Sequence, residues 1–234
     1  MPPSRRGVLW RHGSPFRRRT CHRDHREQRP PGKFVIEVYD TRWPERFAAE
    51  RDTIISVLDP HTVVRLEHTG STSVPGLAAK PIIDMLLVVA AVGNEDSYVP
   101  DLQTIGYRLA AREPGWYEHR FLTRRTDEGA PCDVNLHVFG PAAAPEIERI
   151  LAFRDRLRTH AEDRALYERI KQELVHREWI SMLHYSNAKS DIVEEVIAWA
   201  LAERANGWSA LTQPAHSSDG GTAMTRRRSS GGSG

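Results

Sequence analysis

The chain has 234 residues, 39% hydrophobic and 27% charged, with a formal net charge of +2. That charge is uneven: nine arginines and Lys33 against Asp24 and Glu27 give residues 1–33 a net +8, residues 213–234 carry +2, and residues 34–212 are left at about −8. A dedicated DNA- or RNA-binding domain carries its positive charge within the fold, so the acidic middle argues against nucleic acid as a partner.

Residues 1–33, rich in Arg, Pro and His, show neither helical nor strand periodicity and read as a disordered basic tail. The ordered domain is expected over 34–206. It opens with Phe34, Ile36 and Val38 alternating with Val35, Glu37 and Tyr39, the pattern of a short strand. Asp40-Thr41 and Trp43-Pro44 then start a helix that Asp59-Pro60 stops, with Phe47, Ile54, Val57 and Leu58 on its buried side. Val63, Val64 and Leu66 form a strand that leads into a polar loop. Residues 82–89 are nearly all apolar, as in a strand buried on both faces, with Asp84 set inside it. A short helix over 98–105, strands at 107–109 and 119–123, and a strand over 132–139 follow. In the last strand Asp133, Asn135 and His137 share one face.

From Pro145 the chain turns helical. Ile147, Ile150, Leu151, Arg154 and Leu157 recur at helical spacing; a second helix is expected over 161–179 and a third over 187–203. The arginines of residues 150–177 read as a solvated face with i,i+4 partners. Residues 207–234 read as a Ser/Gly-rich disordered tail. Two scattered cysteines, Cys21 and Cys132, make no disulfide framework and point to a reducing cytoplasm. The longest apolar run, residues 82–92, is too short to span a bilayer.

The chemistry centres on residues 67–89, where Gly70-Ser71-Thr72-Ser73 is followed by Val74-Pro75-Gly76, Lys80-Pro81 and Asp84. Hydroxyls and glycine amides can surround a phosphate, and an acid on a neighbouring strand can hold a divalent metal against it. A Walker A loop is excluded, because five residues separate Gly70 from Gly76 and Lys80 precedes a proline. A serine-hydrolase elbow fails on its spacing too.

These residues resemble the GrpB family, a branch of the nucleotidyltransferase superfamily. The resemblance rests on residues 70–77, on Lys80-Pro81-Ile82-Ile83-Asp84, on Asn135-Leu136-His137-Val138, on Leu151-Ala152-Phe153-Arg154-Asp155, and on Tyr185 with Lys189-Ser190. It covers about residues 35–200. It implies an α+β, polymerase-β-like nucleotidyltransferase fold, a small mixed sheet flanked by helices with a C-terminal helical segment. It also implies a nucleoside triphosphate as substrate and Mg2+ or Mn2+ as cofactor. The expected phosphate contacts are Gly70, Ser71, Thr72, Ser73, Lys80, Arg120 and Lys189. Asp84, Glu67 and Asp133 are the expected metal ligands, and Asp84, Glu67 and His137 the catalytic candidates. The superfamily's second acid falls at Leu86, which cannot ligate a metal, so the two-carboxylate platform is incomplete.

Each position also has a structural reading: Ser71 and Ser73 satisfying turn amides, His137 a hydrogen-bonded core histidine, Arg120 and Lys189 solvated. Two functions therefore stand side by side. One is magnesium-dependent transfer of a nucleoside monophosphate to a small-molecule or protein acceptor. The other is a catalytically degenerate domain that binds a nucleotide or cofactor without turnover.

Overall fold

The computed structural model describes His22–Arg23 and residues 35–212 apart from 180 and 181; side chains are described over 35–205 apart from 180–183. Five strands build one mixed sheet. Strand β2 (Val63–Thr69) lies at one edge and pairs antiparallel with β3 (Ile82–Val89), which runs parallel to β6 (Asp133–Phe139). Strand β5 (His119–Arg124) pairs antiparallel with β6, and β4 (Arg108–Glu113) with β5. A two-residue strand β1 (His22–Arg23) adds to the far edge of β4; the rest of residues 1–33, read as a basic tail, and residues 213–234 of the tail expected over 207–234 lie outside the described residues, while residues 207–212 continue the last helix instead.

Strand alternation divides the core. Ile83, Met85 and Leu87 of β3, with Val134, Leu136 and Val138 of β6, point to one face. Helices α1 (Trp43–Val57) and α2 (Val99–Thr104) cover it through Ile54 and Leu102. Leu86 and Val88 point the other way and pack under Ile147 and Leu151 of α3 (Ala144–Thr159). A third cluster joins α3, α4 (Ala161–Val175) and α6 (Ser190–Thr212) to Val74 and Leu77 of the loop after β2. The helical cap is thus bolted directly onto the polar loop. The expected mixed α+β architecture with a C-terminal helical segment is present.

Three local expectations are corrected. Residues 35–39 form no strand: only Glu37 pairs, exchanging 2.8 and 2.9 Å backbone hydrogen bonds with Ala79. Val35 and Val38 are 60% and 85% exposed, so the alternation there faces no core. The second cap helix ends at Val175, where the Trp179 indole donates back to the Leu174 carbonyl at 2.7 Å. The third expected helix, over 187–203, is α6, which starts at Ser190 and runs on to Thr212; a short helix that was not expected, α5 (Met182–Asn187), precedes it across a turn at Ala188-Lys189. That turn carries Lys189 into the site.

Candidate functional site: a lysine-lined corner beside Asp84

Register places Asp84 between Thr69 of β2 and Asn135 of β6, on the sheet face that α3 covers further along. The Asn135 amide donates to Asp84 Oδ1 at 2.7 Å, while its own Oδ1 accepts from Arg125 at 2.8 Å. The Arg125 guanidinium thereby fixes which way the amide points. Burial pushes the Asp84 carboxyl upward, and the Asn135 hydrogen bond with the charges of Lys189, Arg125 and Lys80 pulls it back.

Gly70 sits directly over this carboxylate. Its φ is +65°, a conformation L side chains rarely adopt, and a Cβ there would overlap Asp84 Oδ2. The loop then makes one short 3-10 turn, Ser71–Ser73. Thr72 and Ser73 spend their hydroxyls on the loop itself, Thr72 Oγ1 donating to the Ile82 carbonyl at 3.1 Å and Ser73 Oγ to the Gly70 carbonyl at 2.6 Å. Ser71 faces α4: its Oγ accepts from Lys171 Nζ at 3.2 Å.

Lys171 was not singled out in the sequence, and the structure buries it; the solvated-face reading of the arginines of residues 150–177 is corrected at Arg154 of α3, which is buried too. Lys171 is 3% exposed; it also donates to the Ala78 carbonyl and lies 4.9 Å from the Tyr167 ring. The available sequence signal was position: Tyr167, Lys171 and Leu174 occupy one helical stripe, all buried.

Lys80 and Lys189 converge from the other side. Their ammoniums stand 3.9 and 4.5 Å from the centroid of one ring, that of Tyr185. Burial, then the charge of Lys189, brings both Lys80 and Lys171 down to about 7, and burial lowers Lys189 as well. Gly70, Ser71, Lys80, Asp84 and Lys189 each keep part of their surface in solvent, so the corner is reachable.

The remaining candidates lie elsewhere. Glu67 is on the same sheet face as Asp84 but opposite Leu86, and its carboxylate is held by Arg65 and Arg154, each at 2.8 Å. Asp133 accepts from Thr126 N and Oγ1 at 2.8 and 2.9 Å. Arg120 points to the opposite sheet face and pairs with Glu95 at 2.5 Å, which corrects its expected phosphate contact. His137 lies two residues beyond Asn135, with Nδ1 3.1 Å from His119 Nε2; His119 Nδ1 in turn meets Glu113 at 2.7 Å.

The metal expectation can be tested on these donors. Leu86 is fully buried under α3, Glu67 and Asp133 are turned to their own partners, and Asn135 presents its NH2 group to Asp84. Among the described residues no three His, Cys, Asp or Glu side chains group to hold a metal. The donor set does not fit a two-metal platform; it offers one carboxylate, which suffices only for a cation held jointly with a ligand's own oxygens.

A lysine-lined polar corner beside one carboxylate, on a small mixed sheet with a helical cap, is the class of site these observations define. Residues 33–198 match the family described as GrpB protein, and the chain belongs to that family. It is 49% identical over 164 residues to a UPF0157 protein of Halalkalibacterium halodurans, covering 70% of this chain and 80% of that one. Identity is 44% over 169 residues with a UPF0157 protein of Streptomyces coelicolor, covering 72% and 85%. The crystal structure of the conserved protein GrpB from Enterococcus faecalis is similar, with a TM-score of 0.59 at 30% identity, covering 70% of this chain and 98% of that one. Among the described residues no helix is long and apolar enough to cross a membrane.

Proposed function

We propose that the corner binds the phosphate-bearing end of a nucleotide or nucleotide-like cofactor, with lysine ammoniums doing the charge neutralisation that two metals do elsewhere. One observation carries this reading: Lys80, Lys171 and Lys189 arrive from three separate segments, Lys80 and Lys189 over one Tyr185 ring and Lys171 on Ser71, and burial followed by the charge of Lys189 lowers Lys80 and Lys171. Lys171 is buried and Lys80 and Lys189 are partly so; like charges gathered this way repel, and a polyanion offsets that repulsion. The catalytically degenerate binding domain is therefore the reading the site supports best.

Inorganic tripolyphosphate and ATP are the probes. Calorimetry in EDTA is expected to show binding of both, weakened about tenfold or more by Lys80→Met and by Lys189→Met, since a charge-assisted contact contributes roughly 1.5–3 kcal/mol. No binding of either probe at millimolar concentration in EDTA and in magnesium would end the proposal.

Nucleotidyl transfer to a small-molecule or protein acceptor is the second reading, and it is favoured by Asp84 lying on the strand beside Gly70 and Ser71. Asp84 would then hold a single magnesium or manganese ion against the substrate phosphates, where the ion supplies charge neutralisation. Pyrophosphate release from one of the four common NTPs, lost in Asp84→Asn, is the outcome this reading requires.

A further inference from the structure

The geometry points to a second ligand site on the far side of the same loop, shaped for a small carboxylate with a flat apolar body. A cavity of about 430 Å³ opens between α1, the β2 edge strand, the loop at Ser73 and Pro75, and the end of α3. That volume lies in the range of small-molecule sites. One wall is aromatic: the Phe47 ring packs flat on the buried His68 ring, centroids 4.6 Å apart at an interplanar angle of 6°, and Tyr39 adjoins them. Burial, with Arg158 and Arg154 nearby, lowers the imidazole to about 4, so the ring stays neutral and behaves as an apolar surface near neutral pH.

The charged part of the cavity is arginine-rich. Arg154 is spent on Glu67 and Asp155, each at 2.8 Å, and on the His68 carbonyl at 3.1 Å. Arg158 is placed differently. Its Nε donates to the neutral Ser73 carbonyl at 2.9 Å, and its carboxylate partner, Asp155, stands 3.8 Å from Nη1 and already serves Arg154. Arg51 on the α1 rim pairs only with its neighbour Asp52 among the described ion pairs. An anion entering here meets a guanidinium whose charge is incompletely matched, beside a flat apolar wall on which its body stacks.

The two sites share one structural part. Ser71 meets Lys171 on one side of the loop, and Ser73 meets Arg158 on the other. The arginine site stands whether or not the lysine corner binds nucleotide, because no lysine of that corner lines its cavity.

Benzoate, acetate and benzamide separate the contributions of charge and body. On the full chain, amide chemical-shift titration is expected to show benzoate binding with shifts at Phe47, His68 and Ser73. Acetate, lacking the body, and benzamide, lacking the charge, are each expected to bind at least about tenfold more weakly. Arg158→Gln is expected to weaken benzoate by a similar factor, and Arg51→Gln, which leaves the loop contacts alone, to weaken it severalfold. Lys80→Met leaves it unchanged. The proposal is overturned if benzoate produces no shifts at these residues at tens of millimolar, or if Lys80→Met abolishes binding while both arginine variants retain it.

Discussion

Gly70 lies against Asp84 so closely that no side chain fits between them: a Cβ at position 70 would occupy the place of Asp84 Oδ2. The glycine that starts the loop and the acid on the next strand are therefore one structural unit. Close approach lets the loop backbone and the carboxylate face the same small volume, and Ser71 and the lysines complete it.

Gly70→Ala tests that unit. The new methyl group meets the carboxylate, and the φ of +65° is strained for alanine. A loss of about 2 kcal/mol or more in urea unfolding is expected, together with weakened tripolyphosphate binding. A variant as stable as the parent would show that the loop does not need the glycine.

Leu86→Asp introduces an acid two residues after Asp84, at the position where the resemblance to nucleotidyltransferases leads one to expect it. Here the side chain is fully buried against α3, with Ile147 and Leu151 in the same cluster. A carboxylate in that position is desolvated beside Glu67, which stands opposite it on β2, and is costly. Destabilisation on the order of 3–4 kcal/mol is expected, with no gain of pyrophosphate release. A stable variant that turns over an NTP would contradict the account of a closed second-acid position.

The lysine corner predicts a pH dependence with a definite sign. Lys80 and Lys171 fall from the ordinary 10.5 to about 7 in the folded protein, so both lose protons as pH rises through 7. An anionic ligand favours the protonated forms, so tripolyphosphate affinity is expected to fall between pH 6 and 8.5, and binding at pH 8 to take up protons. Without ligand, the unfolded chain retains these protons up to about pH 10.5, so stability is expected to rise with pH between roughly 7 and 10.5 from these two groups. Calorimetry in buffers of different ionisation enthalpy measures the uptake. Affinity constant from pH 6 to 8.5 would mean the lysines do not contact the anion.

Much of the layout follows from sequence-local physics. The apolar run at residues 82–89 is a strand because only a strand buries both faces in eight residues, and Asp84 stands out within it because burying an acid needs a reason. Pro44 and Asp59-Pro60 bracket α1 through their own backbone restrictions. The Gly-Ser loop was likewise visible as a tight polar turn, and Walker A and hydrolase alternatives fell on spacing alone. Residues 35–39 failed because alternation describes a strand only where a neighbour exists to pair with it.

Tertiary structure decided which charges matter. Asp84, Gly70 and Ser71 are close in the chain, and their association was legible from residues 67–89. Lys171 is 100 residues from Ser71, and on its helix it is one cation among many until α4 packs on the loop and buries it. Arg120 looked as available as any lysine until the pleat of β5 turned it to the opposite face and gave it to Glu95. The sequence determined the corner built around Gly70 and Asp84. Only the fold, by choosing which long cations lose water together, made that corner a lysine-lined one rather than a two-metal platform.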